Sequence, residues 1–199
     1  ENETFAGGAW PGIQVAGKDQ VRQQAAMWQA MLMSAGLPAT KQILIHGFLM
    51  ADGQKMSKSL GNVVDPVEYV ETYGLDSVRY YLLRQVHPFE DSDFTKESFE
   101  AAYTAHLVNG VGNLVSRVLA LTEKYEITSG FESKEGVWQT VPGKKVVNAL
   151  EKFRFDEAMD VVFGIGEQLD GYIQETAPFK LMKGDEGEVK KGIRVLEKC

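Results

Sequence analysis

The chain is poor in the residues that most often carry metals and covalent chemistry. Its 199 residues include one cysteine, Cys199, and three histidines. A single thiol cannot form an intramolecular disulfide framework and excludes a cysteine-rich zinc site within the chain. No Ser-His-Asp set and no metal-ligand cluster stands out in so small a pool. No run of about 18 apolar residues occurs, so no membrane-spanning helix is expected. A basic start followed by an apolar run is missing too, so no secretory signal is expected. Together these absences fit a cytoplasmic protein. Positive charge is also in deficit, with a net charge of −7. Residues 1–90 hold 7 basic and 9 acidic side chains, and residues 91–199 hold 14 and 19. Neither half is a basic domain, so any contact with nucleic acid must be local.

What is present suffices for a packed core: 44% of residues are apolar and 25% are charged. One large or two small domains fit this length. The chain does not begin with Met, and Ile193 to Cys199 reads as a helix cut short, so a fragment of a longer protein is expected.

One string organises the rest, Lys55-Met56-Ser57-Lys58-Ser59. Asp52-Gly53 before it is a turn signal, and Leu60-Gly61-Asn62 is a flexible exit. Glycines on both sides predict a mobile loop rather than a helix interior. Two ammonium groups and two hydroxyls on such a loop suit a polyphosphate, and could stabilise the charge on a leaving pyrophosphate. A generic Lys-x-x-Lys is a solvated basic loop; the five-residue string is more specific.

Upstream, Ile13–Ala16 reads as a strand, residues 20–35 as a helix, and Gln42–Met50 as a second strand. This is a βαβ unit with the lysine loop directly after it. Ligands of open α/β sheets sit at the carboxyl ends of strands, where Gly17-Lys18-Asp19 and His46 fall. Gly17 allows close backbone approach and Asp19 can accept from ribose hydroxyls. On spacing alone, the tripeptide is equally an ordinary turn with a helix cap. Methionines 27, 31 and 33 read as core filling. Downstream, Asp65-Pro66 can start a helix that Gly74 closes, and a second helix runs over residues 75–86.

A domain boundary is expected after residue 88. Beyond it the periodicity is helical. A long helix capped by Thr95 reaches Tyr125, with Leu107, Val111, Leu114, Val118, Leu121 and Tyr125 on one stripe. Residues 126–143 read as a loop. Two more helices follow over residues 144–153 and 157–176, the latter capped by Asp156. At 100° per residue, Asn109, Asn113 and Arg117 share a strip roughly opposite the apolar stripe. By itself this is a solvated helix face; its amides and guanidinium could also read base edges and phosphates.

The lysine string is the signature of class I aminoacyl-tRNA synthetases. With Ile45-His46-Gly47-Phe48-Leu49 before it and residues 60–66 after it, the stretch resembles methionyl-tRNA synthetases. The resemblance covers residues 10 to about 180. It implies the C-terminal half of a Rossmann-like catalytic domain over residues 1–88, then an incomplete antiparallel helical-bundle anticodon-binding domain over residues 89–199. The implied reaction activates methionine with ATP to methionyl-adenylate and passes the methionyl group to tRNA(Met), with Mg²⁺ travelling with ATP. Lys58, Lys55 and Ser57 would neutralise the pyrophosphate. Gly17, Asp19, His46 and Leu49 would border the nucleotide, with Lys58 on its phosphates. Trp28 and Gln24 would line the methionine pocket. Asn113, Arg117, Asn109 and the aromatic Phe179 would read the anticodon. The chain departs from the family at Phe179, where Trp is usual, at Gln24 and Gln14, where His is common, and at Asp170, where Asn is common. Isoleucyl, valyl and leucyl enzymes share the lysine loop, but not Gly17-Lys18-Asp19, Trp28 or the Asn113/Arg117 pair in this form. A rival of another class is a non-catalytic RNA-binding module. The His-Ile-Gly-His-type string of class I enzymes does not occur here, so the chain by itself is expected to be inactive.

Overall fold

The computed structural model describes residues 10–127 and 141–196. The chain forms two compact units. One comprises residues up to 65 together with 86–95; the other comprises residues 66–85 together with those from 96 onward. A single cut after residue 88 does not describe this grouping. The pair of helices over residues 66–85 joins the later helices because its aromatic side chains pack there.

The first unit is α/β. Strand β1 (Ile13–Gly17) lies parallel to β2 (Gln42–His46), in register from Ile13 opposite Gln42 to Gly17 opposite His46. A 3₁₀ turn (Lys18–Gln20) and helix α1, π-wound over Gln23–Met27 and α-helical over Trp28–Ser34, connect them. The expected strand–helix–strand unit is therefore present. A polar network closes it: the Gln29 amide donates to Thr40 Oγ1 at 2.8 Å and accepts from Thr40 N–H at 3.0 Å. The methionines do not fill a core within this unit. Met27, Met31 and Met33 are all exposed, Met33 to 74%.

The expected single strand over Gln42–Met50 is broken in two. After His46 the chain leaves β1 and forms β3 (Leu49–Ala51), which pairs in parallel with β5 (Ser92–Asp93) and antiparallel with β4 (Gln54–Lys55). Gly47 is the reason the chain can cross there. A Cβ on Gly47 would lie 2.2 Å from the Glu90 carbonyl, so only glycine lets the two backbones meet. The β3–β4 turn is Asp52-Gly53, with φ of 51° and 71°. Positive φ at both central residues is the hairpin geometry that Asp-Gly favours.

The second unit is helical. Helices α2 (Pro66–Tyr73) and α3 (Leu75–Arg84) meet at Gly74, which has a φ of 84°. Helix α4 (Lys96–Ala102) runs through a π-wound segment (Tyr103–Gly112) into α5 (Asn113–Lys124). Helices α6 (Val141–Glu151), α7 (Phe155–Thr176), α8 (Pro178–Leu181) and α9 (Glu186–Leu196) follow. Phe99 is 1% exposed, and rings of Tyr69, Tyr73 and Tyr81 lie 5.0–5.2 Å from its own. Val146 and Ala149 of α6 pack on Ala158 of α7. Asp156 does not cap α7. It lies in the first turn, where it accepts from Arg154 at 2.7 Å. Of the loop expected over 126–143, residues 128–140 lie outside the described residues, and α6 begins at Val141.

The long helix is not the uninterrupted α-helix that the spacing predicts. Its middle is π-wound, with i→i+5 closure. A Cβ on Gly112 would stand 2.6 Å from the Leu107 carbonyl oxygen, five residues back, so glycine admits the wide turn. Gly110 departs from helical geometry altogether, with φ −85° and ψ −105°. A wheel drawn at 100° per residue therefore loses phase between Asn109 and Arg117.

Candidate functional site

In the α/β unit, the parallel register brings the carboxyl ends of β1 and β2 side by side, with Gly17 opposite His46. The bare Cα of Gly17 leaves room that neighbouring groups approach: a Cβ there would stand 3.1 Å from Asp19 Oδ1 and 3.6 Å from His46 Cε1. His46 Nδ1 lies 2.8 Å from the Gly47 carbonyl oxygen, which it can satisfy only as the donor. In the neutral ring Nε2 is then left as an acceptor.

The lysine loop follows the Asp52-Gly53 hairpin, so Lys55 is the last residue of β4 rather than part of a free loop. Asn62 clips the loop. Its side-chain carbonyl accepts the Ser57 N–H at 2.8 Å, and its amide donates to the Lys55 carbonyl at 3.3 Å. The Ser57 and Ser59 hydroxyls share a hydrogen bond at 2.7 Å. Lys58 is exposed and makes no ion pair among the described residues. Lys55 Nζ lies 3.7 Å from Asp19 Oδ2, which ties the loop's first cation to the β1 strand end. Leu49, the first residue of β3, is half-buried.

Two residues here escaped the sequence reading. Asp91 accepts from Lys18 Nζ at 2.5 Å and from the Phe48 N–H at 2.8 Å. The Lys18 hydrogen bond, then that of Phe48, holds its carboxyl below the usual carboxylate range. The Phe48 ring carries Lys18 Nζ at 4.5 Å and Lys55 Nζ at 4.0 Å from its centroid. Phe48 lies in the strand-end string, but its place under two ammonium groups shows only in the fold; Asp91 is 73 residues from Lys18, so no local pattern signals that pairing.

Trp28 sits where the π-wound start of α1 passes into α-helix, a junction type frequent at functional sites. Its Nε1 is buried and has no hydrogen-bond partner among the described residues. An orphaned buried donor is costly, so a ligand acceptor there would recover that cost. Gln24 is half-buried one turn earlier, and its carbonyl accepts from Gln29 Nε2 at 2.9 Å. Gln14 is drawn into the same network, accepting from Thr40 Oγ1 at 3.3 Å.

In the helical unit, Asn109 and Asn113 are exposed, as the strip requires. Arg117 is not on the solvated side. It is 32% exposed and donates to Asp170 Oδ1 on α7 at 2.6 Å. Asp170 Oδ2 accepts from Gln174 at 2.6 Å. Leu114, on the packed face, is a neighbour of Gly166 on that same helix. Arg117 stands three residues after buried Leu114 in the same regular helix, so it flanks the packed face rather than opposing it. Asn109 and Asp170 both line a cleft of about 220 Å³, together with Arg84, His106, Gly110 and Phe163. His106 receives or donates a 2.7 Å bond with the Tyr80 hydroxyl, and burial, then Arg84, pushes its pKa down. Phe179 opens α8 just after left-handed Ala177 and is 37% exposed. No described contact joins it to Arg117.

The family model described as tRNA synthetases class I (M) matches residues 6–119, which include both strand ends, the lysine loop, Asn113 and Arg117. The chain belongs to this family. Over 191 residues it is 40% identical to a methionine–tRNA ligase of Nostoc sp., covering 91% of this chain and 36% of that protein. A chloroplastic/mitochondrial methionine–tRNA ligase of Arabidopsis thaliana is 39% identical over 191 residues, 91% of this chain and 31% of that one. The crystal structure of Mycobacterium tuberculosis methionyl-tRNA synthetase bound by methionyl-adenylate superposes with a TM-score of 0.85 at 30% identity, over 94% of this chain and 39% of that chain. Its free-state structure gives 0.80 at 27% identity. This class I synthetase chain thus spans about a third of the length of the relatives it matches. The expected order, a piece of nucleotide fold and then helices, is what those structures share with it.

Proposed function

We propose that this chain carries the lysine-loop half of the catalytic domain and the anticodon-reading helices of a methionine–tRNA ligase. The reaction is ATP-dependent. The methionine carboxylate attacks the α-phosphate, methionyl-adenylate forms, pyrophosphate leaves, and the methionyl group then passes to the 3′ end of tRNA(Met). The protein's part is positioning and charge stabilisation. Lys58 and Lys55, with the Ser57 hydroxyl, neutralise the departing pyrophosphate. Asp19 accepts from the ribose, Gly17 lets the backbone approach it, and His46 and Leu49 border the adenine. Mg²⁺ arrives with ATP as part of the substrate. Trp28 and Gln24 line the methionine side. Asn109, Asn113, Arg117 and Phe179 meet the anticodon, with Arg117 presented by Asp170.

One observation supports this most: an exposed Lys58, without an ion pair among the described residues, on a loop whose first lysine reaches Asp19 at the β1 strand end. The decisive test is Lys58→Ala in the full product of the gene. Methionine-dependent ATP–pyrophosphate exchange should fall about 10²–10³-fold, the loss typical of one charge-stabilising donor. Affinity for tRNA should hardly change. Unchanged exchange would leave the rival of a non-catalytic RNA-binding module. A screen of exchange across amino acids separates methionine from isoleucine, valine and leucine.

A further inference from the structure

Phe48 lies at the break between β2 and β3, where the chain changes sheets. Its N–H is held by Asp91 Oδ1 at 2.8 Å, so its backbone cannot drift. Its ring has Lys55 Nζ 4.0 Å from the centroid and Lys18 Nζ at 4.5 Å. The partners of the two ammonium groups differ in quality. Lys18 is bound to Asp91 by two short contacts of 2.5 and 2.6 Å. Among the described residues the ion pair of Lys55 is with Asp19 at 3.7 Å, with both side chains about half exposed or more. For Lys55, then, the half-buried aromatic face is the drier of these two partners, and the carboxylate, at 3.7 Å, stays beyond hydrogen-bond distance. A ring face attracts a cation without consuming its N–H donors. A carboxylate at hydrogen-bond distance would consume them.

We propose that Phe48 is a positioning residue for Lys55. It parks the loop's first ammonium beside Asp19 and the strand ends while leaving its donors free for a polyphosphate. This rests on the synthetase reading above, because the polyphosphate is that of ATP. Arrival of a nucleotide then needs little reorganisation. The ribose takes Asp19, and Lys55 turns its free donors to the phosphates without leaving the ring. Lys18, locked to Asp91, pins the ring from its other partner and does not compete.

The test is a double-mutant cycle in the full gene product, read by ATP–pyrophosphate exchange. Phe48→Leu keeps apolar bulk and removes the π face. It should weaken exchange about two- to fivefold, in KM for ATP or in kcat, with KM for methionine unchanged. Phe48→Tyr should restore it. In a Lys55→Ala background, Phe48→Leu should add nothing. Additive losses, equal loss in Phe48→Tyr, or no loss in Phe48→Leu would overturn the proposal. Should Phe48→Leu lower solubility, NMR of ¹³C-methylated lysines decides it independently. The ring-current shift of Lys55 present in wild type should vanish in Phe48→Met, and its absence in wild type overturns the proposal. Full exchange in both Lys55→Ala and Lys58→Ala would instead remove the synthetase reading beneath it.

Discussion

The two units hold the cations of the proposed sites in opposite ways. In the α/β unit, Lys58 stands on a loop bounded by a tight hairpin and clipped by Asn62, with its ammonium unpaired among the described residues. In the helical unit, Arg117 is already partnered by Asp170 at 2.6 Å. The first arrangement suits a ligand that brings much negative charge and must be released again. The second suits a reader whose direction matters more than its free charge, since a guanidinium with one edge fixed still offers the other. Their cores differ too. The α/β unit buries Ala16, Leu44, Ala51 and the single ring of Phe94, whereas the helical unit adds a cluster of rings, Tyr80, Tyr81 and Phe99, to its aliphatic residues.

The comparison can be broken from the largest effect down. Phe99→Ala should cost the helical unit about 3–5 kcal/mol in denaturant unfolding, because Phe99 packs among the rings of Tyr69, Tyr73, Tyr81 and Tyr103. If the unfolding midpoint barely moves, the aromatic core is not what holds that unit. Lys58→Ala should remove about 3–4 kcal/mol of transition-state stabilisation in exchange while leaving thermal unfolding unchanged. Gly47→Ala should destabilise the α/β unit by about 1–3 kcal/mol, since its Cβ meets backbone at 2.2 Å; circular dichroism melts would measure it. Arg117→Ala should lower charging of tRNA by about 1–3 kcal/mol of discrimination and spare pyrophosphate exchange. The smallest effect is a titration. The Tyr73 phenol donates to Glu100 at 2.5 Å, and this bond, with burial next, pushes its pKa up to about 12. The folded pKa is raised, so this contribution to stability is fully present below the unfolded value near 10 and is lost as pH rises through about 12. Absorbance near 295 nm should show Glu100→Gln bringing the titration back toward 10.

Much of the fold was legible because its signals are local. Pro66 opens α2 and Gly74 ends it within a few residues of each other, and the Asp52-Gly53 turn carries its own backbone preference. The lysine string is contiguous, so it could be read as a loop and matched to a family. The strand break at Gly47 was not legible, because what forces it is the backbone of Glu90 and Asp91. The place of Arg117 was missed for a different reason. Its partner Asp170 is 53 residues away, and a helical wheel does not say which helix packs along the flank of the apolar face.

The order of residues alone determined which short stretches turn, which alternate like strands, and where the cations of the loop sit along the chain. Those choices rest on backbone sterics and on neighbours two to four residues apart. Tertiary structure alone decided that Lys55 lies on Phe48 beside Asp19, that Asp91 holds Lys18, and that Arg117 faces Asp170. Such pairings depend on directions and distances between groups far apart in the chain, and these exist only once the strands and helices have packed.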